Sequence, residues 1–235
     1  MIALRGAVVE YLGRRALGPL SGTFGEKTLA VVGPAQSGKT TLLKALCGLL
    51  PLAAGEVLVD GAPLLAQGEG APALRARFGM VFQSDALFDS MDALENAALP
   101  LVRRGLPRPE ALARAGEALA QVGLSGHEHA LPERLSGGMR KRLGIARAIV
   151  ARPRYLLADD PLAGLDPGTA ERVLALLLSL FGERGSLILA AAEPSLIWDR
   201  CDEALVLREG EAVARGAPAA LRVDPSVRAL LGEED

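Results

Sequence analysis

The sequence predicts an α/β domain in which strands alternate with helices around one core and a mainly helical segment is inserted. Three observations predict this class. An apolar run leads through a glycine-rich loop at 33–38 into a helix-like stretch, Thr40–Leu50. Mostly apolar residues at 155–158 precede two aspartates, and residues 153–220 alternate between strand and helix patterns. Between these blocks, residues 84–150 carry apolar side chains at helical spacing.

The order of the elements follows from turn and cap signals. Residues 1–32 alternate short apolar segments with glycine turns, which predicts antiparallel strands. The stretch Gly55–Pro63 predicts a strand that ends in an Asp-Gly turn, and a Gly- and Ala-rich loop is expected at 66–73. Pro107 and Pro109 mark the start of a helix. The tail at 224–235 predicts a short helix.

Composition limits the classes of function. At 235 residues the chain can bury a sizeable core. Half of its residues are hydrophobic but only 3% are aromatic, so we expect a core of alanine, leucine and valine. A formal net charge of −2 argues against a broad nucleic-acid interface. The basic cluster Arg140-Lys141-Arg142 is expected to be a solvated or membrane-proximal helix face.

The sequence indicates a cytoplasmic chain. No apolar run approaches the ~20 residues that cross a bilayer, and the first residues lack the apolar stretch of a signal peptide. Cys47 and Cys201 lack metal-ligand spacing and are expected to be reduced and buried. A membrane role would therefore require a separate membrane partner.

The glycine-rich loop has the pattern Gly33-x-x-x-x-Gly38-Lys39-Thr40, which suits the phosphates of a nucleotide. Glycine lets the backbone curl until successive N–H groups point at one anion, and the next helix adds its positive N-terminus. We expect Lys39 to reach the β- and γ-phosphates and the Thr40 hydroxyl to ligate Mg²⁺. A glycine turn with an unrelated lysine is the alternative, which the flanking strand and helix disfavour. The expected binding residues are Gly33, Pro34, Ala35, Gln36, Ser37, Gly38, Lys39, Thr40 and Thr41.

A second phosphate-contacting pattern, LSGGM, stands at 135–139. The two patterns together, in this order, make chance a poor explanation. The chain resembles the ATP-binding subunit of an ABC transporter over almost its whole length. The resemblance implies a P-loop NTPase core of the RecA-like kind, with an antiparallel β subdomain and an inserted α-helical subdomain. It also implies ATP and Mg²⁺ as cofactors and ATP hydrolysis coupled to transport.

The resemblance further implies one nucleotide-binding domain across residues 1–235. Residues 1–83 and 151–220 would form the core with its β subdomain. Residues 84–150 would form the helical subdomain that carries the signature LSGGM. Residues 221–235 would form a C-terminal tail.

Further side chains match positions that have roles in this family. Gln83 matches the glutamine that senses the metal and the attacking water, and Asp159 matches the Mg²⁺-associated aspartate. Asp166 matches the loop that crosses the dimer seam. Tyr11 lies where the family stacks an aromatic ring on adenine, and a core tyrosine is the alternative. The implied metal residues are Thr40, Gln83 and Asp159, and the implied signature residues, which cap the γ-phosphate held by a second subunit, are Ser136, Gly137 and Gly138.

Two positions depart from the family pattern. Asp160 stands where the family has a glutamate that polarises the attacking water, and Ala192 stands where it has a histidine that contacts the γ-phosphate. One methylene fewer withdraws the carboxylate by about 1 Å, and misplacement of that size can cost ~10²-fold in rate. Glu193 carries the wrong charge to replace the histidine. We therefore expect slow hydrolysis with Lys39, Gln83 and Asp160 as catalytic residues, and compensation elsewhere is the alternative.

Three stretches resemble the MlaF-like ATPases of Mla/Mce-type lipid transporters. They are LSGGMRKRLGIARA, GMVFQSDALFDSMDALENAALPL and DPSVRALLG. This resemblance implies transport of a lipid, with phospholipid favoured, through a separate integral-membrane permease, and a periplasmic lipid-binding subunit in the complex. The permease would dock around residues 83–99. The apolar residues that could line a docking groove there are Ala86, Leu87, Phe88, Met91 and Leu94.

Other members of the superfamily remain as alternatives. The ATPase of an exporter for an amino acid or a lipoprotein is the second interpretation. A degenerate, regulatory partner in a heterodimeric complex is the third, although a homodimer is favoured. ABC-type ATPases of DNA repair or of ribosomes would require a long coiled-coil insertion or a second nucleotide domain, and the sequence contains neither.

Overall fold

The computed structural model describes residues 1–64, 71–182 and 186–232. The strands are β1 (Ile2–Tyr11), β2 (Arg14–Phe24), β3 (Leu29–Val32), β4 (Ala54–Val59), β5 (Ala62–Pro63), β6 (Phe78–Val81), β7 (Tyr155–Asp159), β8 (Leu187–Ala191), β9 (Glu203–Arg208) and β10 (Glu211–Gly216). The helices are α1 (Lys39–Leu46), α2 (Ala71–Arg75), α3 (Ala93–Arg103), α4 (Arg108–Gln121), α5 (Gly137–Ile149), α6 (Pro167–Phe181), α7 (Pro218–Arg222) and α8 (Pro225–Leu231).

The strands form two sheets. A four-stranded antiparallel sheet has the order β2-β1-β4-β5, and a six-stranded sheet has the order β10-β9-β3-β8-β7-β6. The antiparallel pairing of β1 and β2 was predicted from the sequence. The same prediction was wrong for β3, the last strand of residues 1–32, which pairs in parallel with β8 and β9 because it belongs to the other sheet. The strand ending at Val59 also turns at Asp60 and Gly61, as predicted, because both residues adopt the positive φ of 51° and 83° that a tight hairpin requires.

The six-stranded sheet positions the site. All its neighbouring strands pair in parallel except β10, which pairs antiparallel with β9 at one edge. Strands β3, β7 and β8 are buried at every position, as expected for a sheet covered on both faces. Val32 pairs with Ala191, and Ala190 pairs with Asp159. The three strands therefore end together, and their loops meet at one edge.

The core consists of two hydrophobic clusters on opposite faces of this sheet. Ala30 and Val32 face one cluster, whereas Leu29 and Val31 face the other, as the two-residue period of a strand dictates. The first cluster includes the apolar faces of α3, α4, α5 and α6. The second includes α1 and the four-stranded sheet. The carboxyl edge of the sheet is thus fixed between two packed layers.

The helical stretch before β7 contains α3, α4 and α5. Helix α3 begins with a reciprocal cap, in which the Asp92 side chain accepts from the Glu95 amide and the Glu95 side chain accepts from the Asp92 amide. Helix α4 begins directly after Pro107, as predicted. The buried faces are rich in alanine, which accounts for the low aromatic content. The buried alanines of α3 and α4 are Ala93, Ala97, Ala98, Ala111, Ala115 and Ala118.

Element boundaries differ from the prediction in three places. The helical segment expected from residue 84 begins only at Ala93, where Asp92 caps α3. Helix α1 ends at Leu46 rather than Leu50, because Gly48 adopts a positive φ of 70° that ends the helix. Of the loop expected at 66–73, residues 66–70 lie outside the described residues, and residues 71–73 are already helical in α2. The short tail helix is present as α8, capped by Asp224.

Both cysteines are free thiols. Cys47 is buried as expected, and burial raises its pKa to about 11. Cys201 is only half-buried, contrary to expectation, and burial raises its pKa to about 12. In the part of the chain that the structure describes, no helix has the length and apolar character needed to cross a membrane.

Candidate functional site

The loop between β3 and α1 is shaped by backbone that only glycine tolerates well. Gly33 has φ 148° and Gly38 has φ 102°, while Gln36 between them has φ 63°. A Cβ atom on Gly33 would lie 2.2 Å from the Leu207 carbonyl oxygen, and one on Gly38 would lie 3.1 Å from the Ala16 carbonyl oxygen. The two glycines of the pattern are therefore required by both conformation and space.

Lys39 holds its ammonium inside this loop. Its Nζ donates to the carbonyl oxygens of Gly33 and Pro34 at 2.7 and 2.8 Å. Burial lowers the pKa of Lys39, and the carboxylates of Asp160 and Asp159 act in the opposite direction. A cation that is half-buried above a curled loop is suited to polyphosphate, because the anion would replace the lost hydration of the ammonium.

Thr40 and Asp159 connect the loop to the next strands of the sheet. The Thr40 hydroxyl donates to Asp159 Oδ1 at 3.0 Å, and Asp159 is 5% exposed. Burial raises the pKa of Asp159, while the hydrogen bond from Thr40 opposes that change. Two hard oxygen ligands beside a phosphate loop fit Mg²⁺, which binds through one or two protein groups together with phosphates and water.

Among the described residues, no group of three or more histidine, cysteine, aspartate or glutamate side chains could hold a metal ion alone. A cation at Thr40 and Asp159 would therefore depend on the nucleotide for its other ligands. Mg²⁺ delivered with ATP matches this arrangement.

Asp160 and Gln83 meet beside the same loop. Gln83 Nε2 donates to Asp160 Oδ2 at 3.2 Å. Asp160 has an unusual φ of 48°, and its backbone N–H donates to the Ala190 carbonyl oxygen at 2.9 Å. Ala192 is exposed directly after β8. The structure thus brings together the residues predicted for metal and water at one edge, which are Lys39, Thr40, Gln83, Asp159 and Asp160.

Tyr11 lies on the rim of the phosphate loop. It ends β1, is 46% exposed, and lines a cleft of about 420 Å³ with the residues of the loop from Gln36 to Thr41. Its exposure excludes the alternative of a core tyrosine. Arg15 and Glu209 line the same cleft and were missed by the sequence analysis. They carry no motif. They lie there because β2 approaches the turn between β9 and β10, where the Gly18 amide donates to the Gly210 carbonyl oxygen at 2.7 Å.

The signature residues occupy a different place. Ser136 caps α5 and accepts from the Met139 amide at 3.3 Å. Asp166 caps α6 and accepts from the Thr169 amide at 3.0 Å. Hydrogen bonding from the Thr169 side chain, and then from its amide, holds the pKa of Asp166 below its ordinary value. Both residues line a cleft of about 680 Å³ that also contains Gly137 and Gly138. None of the residues that line this cleft belongs to the phosphate-loop cleft.

The interpretation of the basic cluster at 140–142 as a solvated or membrane-proximal face was wrong for Lys141, whereas Arg140 and Arg142 are partly exposed. Lys141 is buried, and its Nζ binds the Gln83 carbonyl oxygen. Arg140 Nη1 donates to the Leu135 carbonyl oxygen at 2.7 Å, and Arg142 Nη1 donates to that of Gly123 at 2.8 Å. Charge alone suggested a solvated surface. Instead, each cation donates to a backbone carbonyl oxygen that would otherwise lack a hydrogen-bond partner when α5 packs.

A strand, a glycine loop and a helix that place Lys39 and Thr40 beside Asp159 define a P-loop nucleotide-binding domain. The family model for ABC transporters matches residues 20–163, more than half of the chain. The chain belongs to this family. It is an ABC-type ATPase cassette with ATP and Mg²⁺ as its cofactors, and the predicted fold class is confirmed.

Curated relatives share most of this chain. It is 40% identical over 193 residues to the methionine import ATP-binding protein MetN of Caulobacter vibrioides, covering 81% of this chain and 58% of that protein. It is 43% identical over 190 residues to the lipoprotein-releasing system ATP-binding protein LolD 1 of Rhodospirillum rubrum, covering 79% and 83%. The chain therefore spans little more than half of the methionine import relative.

Solved structures have the same fold. The dimeric structure of MJ0796, a bacterial ABC transporter cassette, matches with a TM-score of 0.83 at 27% identity, over 93% of this chain and 99% of that one. A dimeric post-hydrolysis state of the same cassette, bound to ADP and Pi, matches with a TM-score of 0.80 at 28% identity, over 93% and 99%.

Proposed function

We propose that this chain is the ATP-binding subunit of a bacterial transporter, and that its hydrolysis of ATP drives a separate membrane permease. The observation that carries the proposal is the hydrogen bond between Thr40 and Asp159 beside the ammonium of Lys39. This arrangement offers a polyphosphate a cation, backbone N–H groups and two oxygen ligands for Mg²⁺ at once.

Each residue at this edge has a defined task. Lys39 and backbone N–H groups of the phosphate loop would bind and orient the phosphates. Thr40 and Asp159 would hold Mg²⁺, whose charge would neutralise part of the phosphate charge. Asp160 is the carboxylate that accepts hydrogen bonding from the attacking water. Gln83 donates to Asp160 at 3.2 Å and so fixes the direction of that carboxylate. Tyr11 offers its exposed ring to adenine.

Hydrolysis at this site is expected to be slow. The Asp160 carboxylate is one methylene shorter than a glutamate at the same position, and its left-handed backbone fixes where it can reach. Ala192 offers only a methyl group at the end of β8. Because a positioned base contributes typically ~10²–10⁴ in rate, a short carboxylate lowers turnover while leaving nucleotide binding intact.

A second cassette completes the site. Ser136, Gly137 and Gly138 open a helix whose N-terminus faces a cleft that is separate from the phosphate loop. A helix N-terminus of this kind suits an anion, and a second copy can bring its own phosphate loop there. We favour a homodimer, in which two equivalent surfaces meet around a two-fold axis. The dimeric MJ0796 cassette supports this arrangement by likeness.

We propose a lipid, with phospholipid favoured, as the transported substrate. This rests on the three MlaF-like stretches of the sequence. Two relatives favour the alternatives of an amino acid or a lipoprotein, since their names specify methionine import and lipoprotein release. A periplasmic lipid-binding subunit belongs to the lipid proposal, and nucleic acid has no part in it.

The permease is proposed to dock between the central sheet and helices α3 and α5. Phe88 is 47% exposed in the segment chosen from the sequence, whereas Leu87 and Leu94 pack on the core. A second groove is lined mainly by apolar side chains and also by arginines. Arg147 connects it to this segment, because it donates to the Ala86 carbonyl oxygen at 2.6 Å. The principal lining residues of the groove are Leu49, Met80, Phe82, Pro100, Arg104 and Arg147.

With a permease docked there, we propose that the chain is a peripheral subunit on the cytoplasmic face of the inner membrane. We also propose that residues 1–83 and 151–220 form the nucleotide-binding core, that residues 84–150 form a helical subdomain, and that residues 221–235 form a tail. The core would hold the nucleotide, and the helical part would hold the signature and touch the permease.

Purification of the tagged chain with its membrane partner tests these proposals. The complex is reconstituted into vesicles of phosphatidylethanolamine and phosphatidylglycerol, and ATP hydrolysis and transfer of a fluorescent phospholipid are measured. ATP-dependent transfer of the phospholipid supports the lipid proposal. Stimulation by methionine or by a lipoprotein alone would assign the substrate to the alternatives, and no hydrolysis above that of Lys39→Ala would overturn the ATPase proposal.

A further inference from the structure

Helix α5 is joined to the Gln83 segment by three cations. Lys141 Nζ binds the Gln83 carbonyl oxygen and lies 3.2 Å from Asp85 Oδ1. Arg140 Nε lies 3.4 Å from Asp85 Oδ2. Arg147 donates to the carbonyl oxygens of Ala86 and Asp85 at 2.6 and 2.9 Å. The segment from Gln83 to Ala86 is irregular chain, so these bonds take the place of a strand or helix ladder.

Lys141 differs from the other two cations in its burial and in its target. Its side chain is 8% exposed, against 40% for Arg140. It also binds the backbone of Gln83 itself, whose side chain donates to Asp160. A buried ammonium is costly unless it is paired, so the contact constrains both partners.

We propose that Lys141 is a positioning residue for ATP hydrolysis. Lys141 holds the backbone carbonyl oxygen of Gln83 against α5. This contact fixes the backbone of Gln83, and its side-chain amide then reaches Asp160 from a fixed position. Ser136 caps the same helix, so Lys141 also connects the signature residues to the carboxylate proposed to bind the attacking water. The inference rests on the proposed ATPase function.

Kinetics of Lys141→Met test this role, because methionine keeps the length of the stem and removes the donor. We expect kcat to fall on the order of tenfold or more, as misplacement of a reacting group can cost ~10²-fold. The affinity for ATP and the KM should change less than about twofold, since the phosphate loop is untouched. Lys141→Arg, which keeps charge and donors, should retain most of the activity.

A matched control is available in Arg215→Met. Like Lys141, Arg215 binds one backbone carbonyl oxygen and one carboxylate. It donates to the Thr23 carbonyl oxygen at 2.6 Å and to the Glu203 carboxylate at 2.8 Å. It lies on the edge strand β10. Its loss should affect stability but not kcat. A double-mutant cycle with Gln83→Ala adds a readout that a merely structural role would not move. If Lys141 acts through Gln83, Lys141→Met should lower kcat little further on the Gln83→Ala background.

Hydrogen exchange gives a second measurement that requires no nucleotide. Amides in the segment 83–86 should exchange at least fivefold faster in Lys141→Met than in wild type or Arg215→Met. Should Lys141→Met fail to fold, Lys141→Gln with Asp85→Asn removes both buried charges and is measured in the same way. Unchanged kcat in a folded variant, or full additivity with Gln83→Ala, overturns the positioning role alone. A wild-type chain without ATP hydrolysis overturns the proposed function and this role with it.

Discussion

Gln83 donates a hydrogen bond to Asp160 at 3.2 Å, although 77 positions separate the two residues in the chain. Asp160 follows a buried strand and adopts φ 48°, and its backbone is bonded to Ala190 of the neighbouring strand. The backbone of Asp160 is therefore fixed in position, and the Gln83 hydrogen bond fixes the direction of its carboxylate. A side chain longer by one methylene would extend the carboxylate by about 1 Å from the same backbone anchor.

Restoring the two departing residues should accelerate hydrolysis. Asp160→Glu moves the carboxylate outward by about 1 Å, and Ala192→His adds a polar ring at the end of β8. The double variant should hydrolyse ATP on the order of tenfold faster or more than wild type. Phosphate release under saturating ATP measures this, with Asp160→Asn as a control that should be slower than wild type. A double variant no faster than wild type would show that these positions do not limit turnover.

Loss of the Lys39 ammonium should abolish tight nucleotide binding. Lys39 is held between the carbonyl oxygens of Gly33 and Pro34, and no other lysine among the described residues lines that cleft. Lys39→Ala should weaken the affinity for a fluorescent ATP analogue by at least about tenfold, as expected for a charge-assisted contact. Lys27→Ala, an exposed lysine outside the cleft, should bind as wild type does. Equal affinity for Lys39→Ala and wild type would contradict the site.

Local patterns explain why the phosphate loop could be predicted from the sequence. The conformation of residues 33–38 follows from Gly33 and Gly38 themselves, and the position of Asp159 follows from the end of one apolar strand. The antiparallel pair β1 and β2 and the helix after Pro107 were predicted in the same way, whereas the parallel pairing of β3 was not.

Contacts between distant segments could not be predicted. The binding of Lys141 to Gln83 crosses 58 positions, and it depends on how α5 packs rather than on any pattern of charge. For the same reason Lys141 was misinterpreted as part of a solvated face. Arg15 and Glu209 line the nucleotide cleft because β2 and the turn after β9 come together in space.

Charge placed on the docking surface should release the permease. Leu49 is 51% exposed in the groove and Phe88 is 47% exposed beside it. Leu49→Glu and Phe88→Glu should each reduce co-purification of the permease by about tenfold, since a carboxylate buried without a partner is costly. Val213→Glu, with 51% exposure on β10, is the matched control and should co-purify normally. Intact co-purification with both groove variants would place the docking site elsewhere.

His129 should titrate above the ordinary histidine range. Its Nδ1 lies 3.0 Å from Asp92 Oδ2, and this carboxylate raises the pKa of His129. The stabilising contribution is fully present below pH of about 6.5, the unfolded value, and is lost as pH rises through the raised folded pKa. NMR titration should give a lower His129 pKa in Asp92→Asn, which retains a helix cap, and no change in Asp89→Asn. An unchanged pKa in Asp92→Asn would exclude Asp92 as the cause.

Mixing two inactive variants should reveal whether the chain pairs with itself. Lys39→Ala damages the phosphate loop, whereas Ser136→Arg blocks the signature cleft, and each variant alone should be inactive. In a symmetric dimer, each site uses one loop and the partner's signature, so a mixed dimer contains one intact site. With random exchange, half of the dimers are mixed and half of their sites work, so the mixture should recover about 25% of wild-type hydrolysis.

A heterodimer with an unrelated cassette predicts a different outcome from the same mixture. The two variants of this chain could not complement each other there, and the mixture would stay as inactive as either variant. A control mixture of Lys39→Ala with the double variant Lys39→Ala/Ser136→Arg contains no intact loop and must remain inactive in both cases. Recovery in the first mixture and none in the control would establish that Ser136 of one copy serves Lys39 of another.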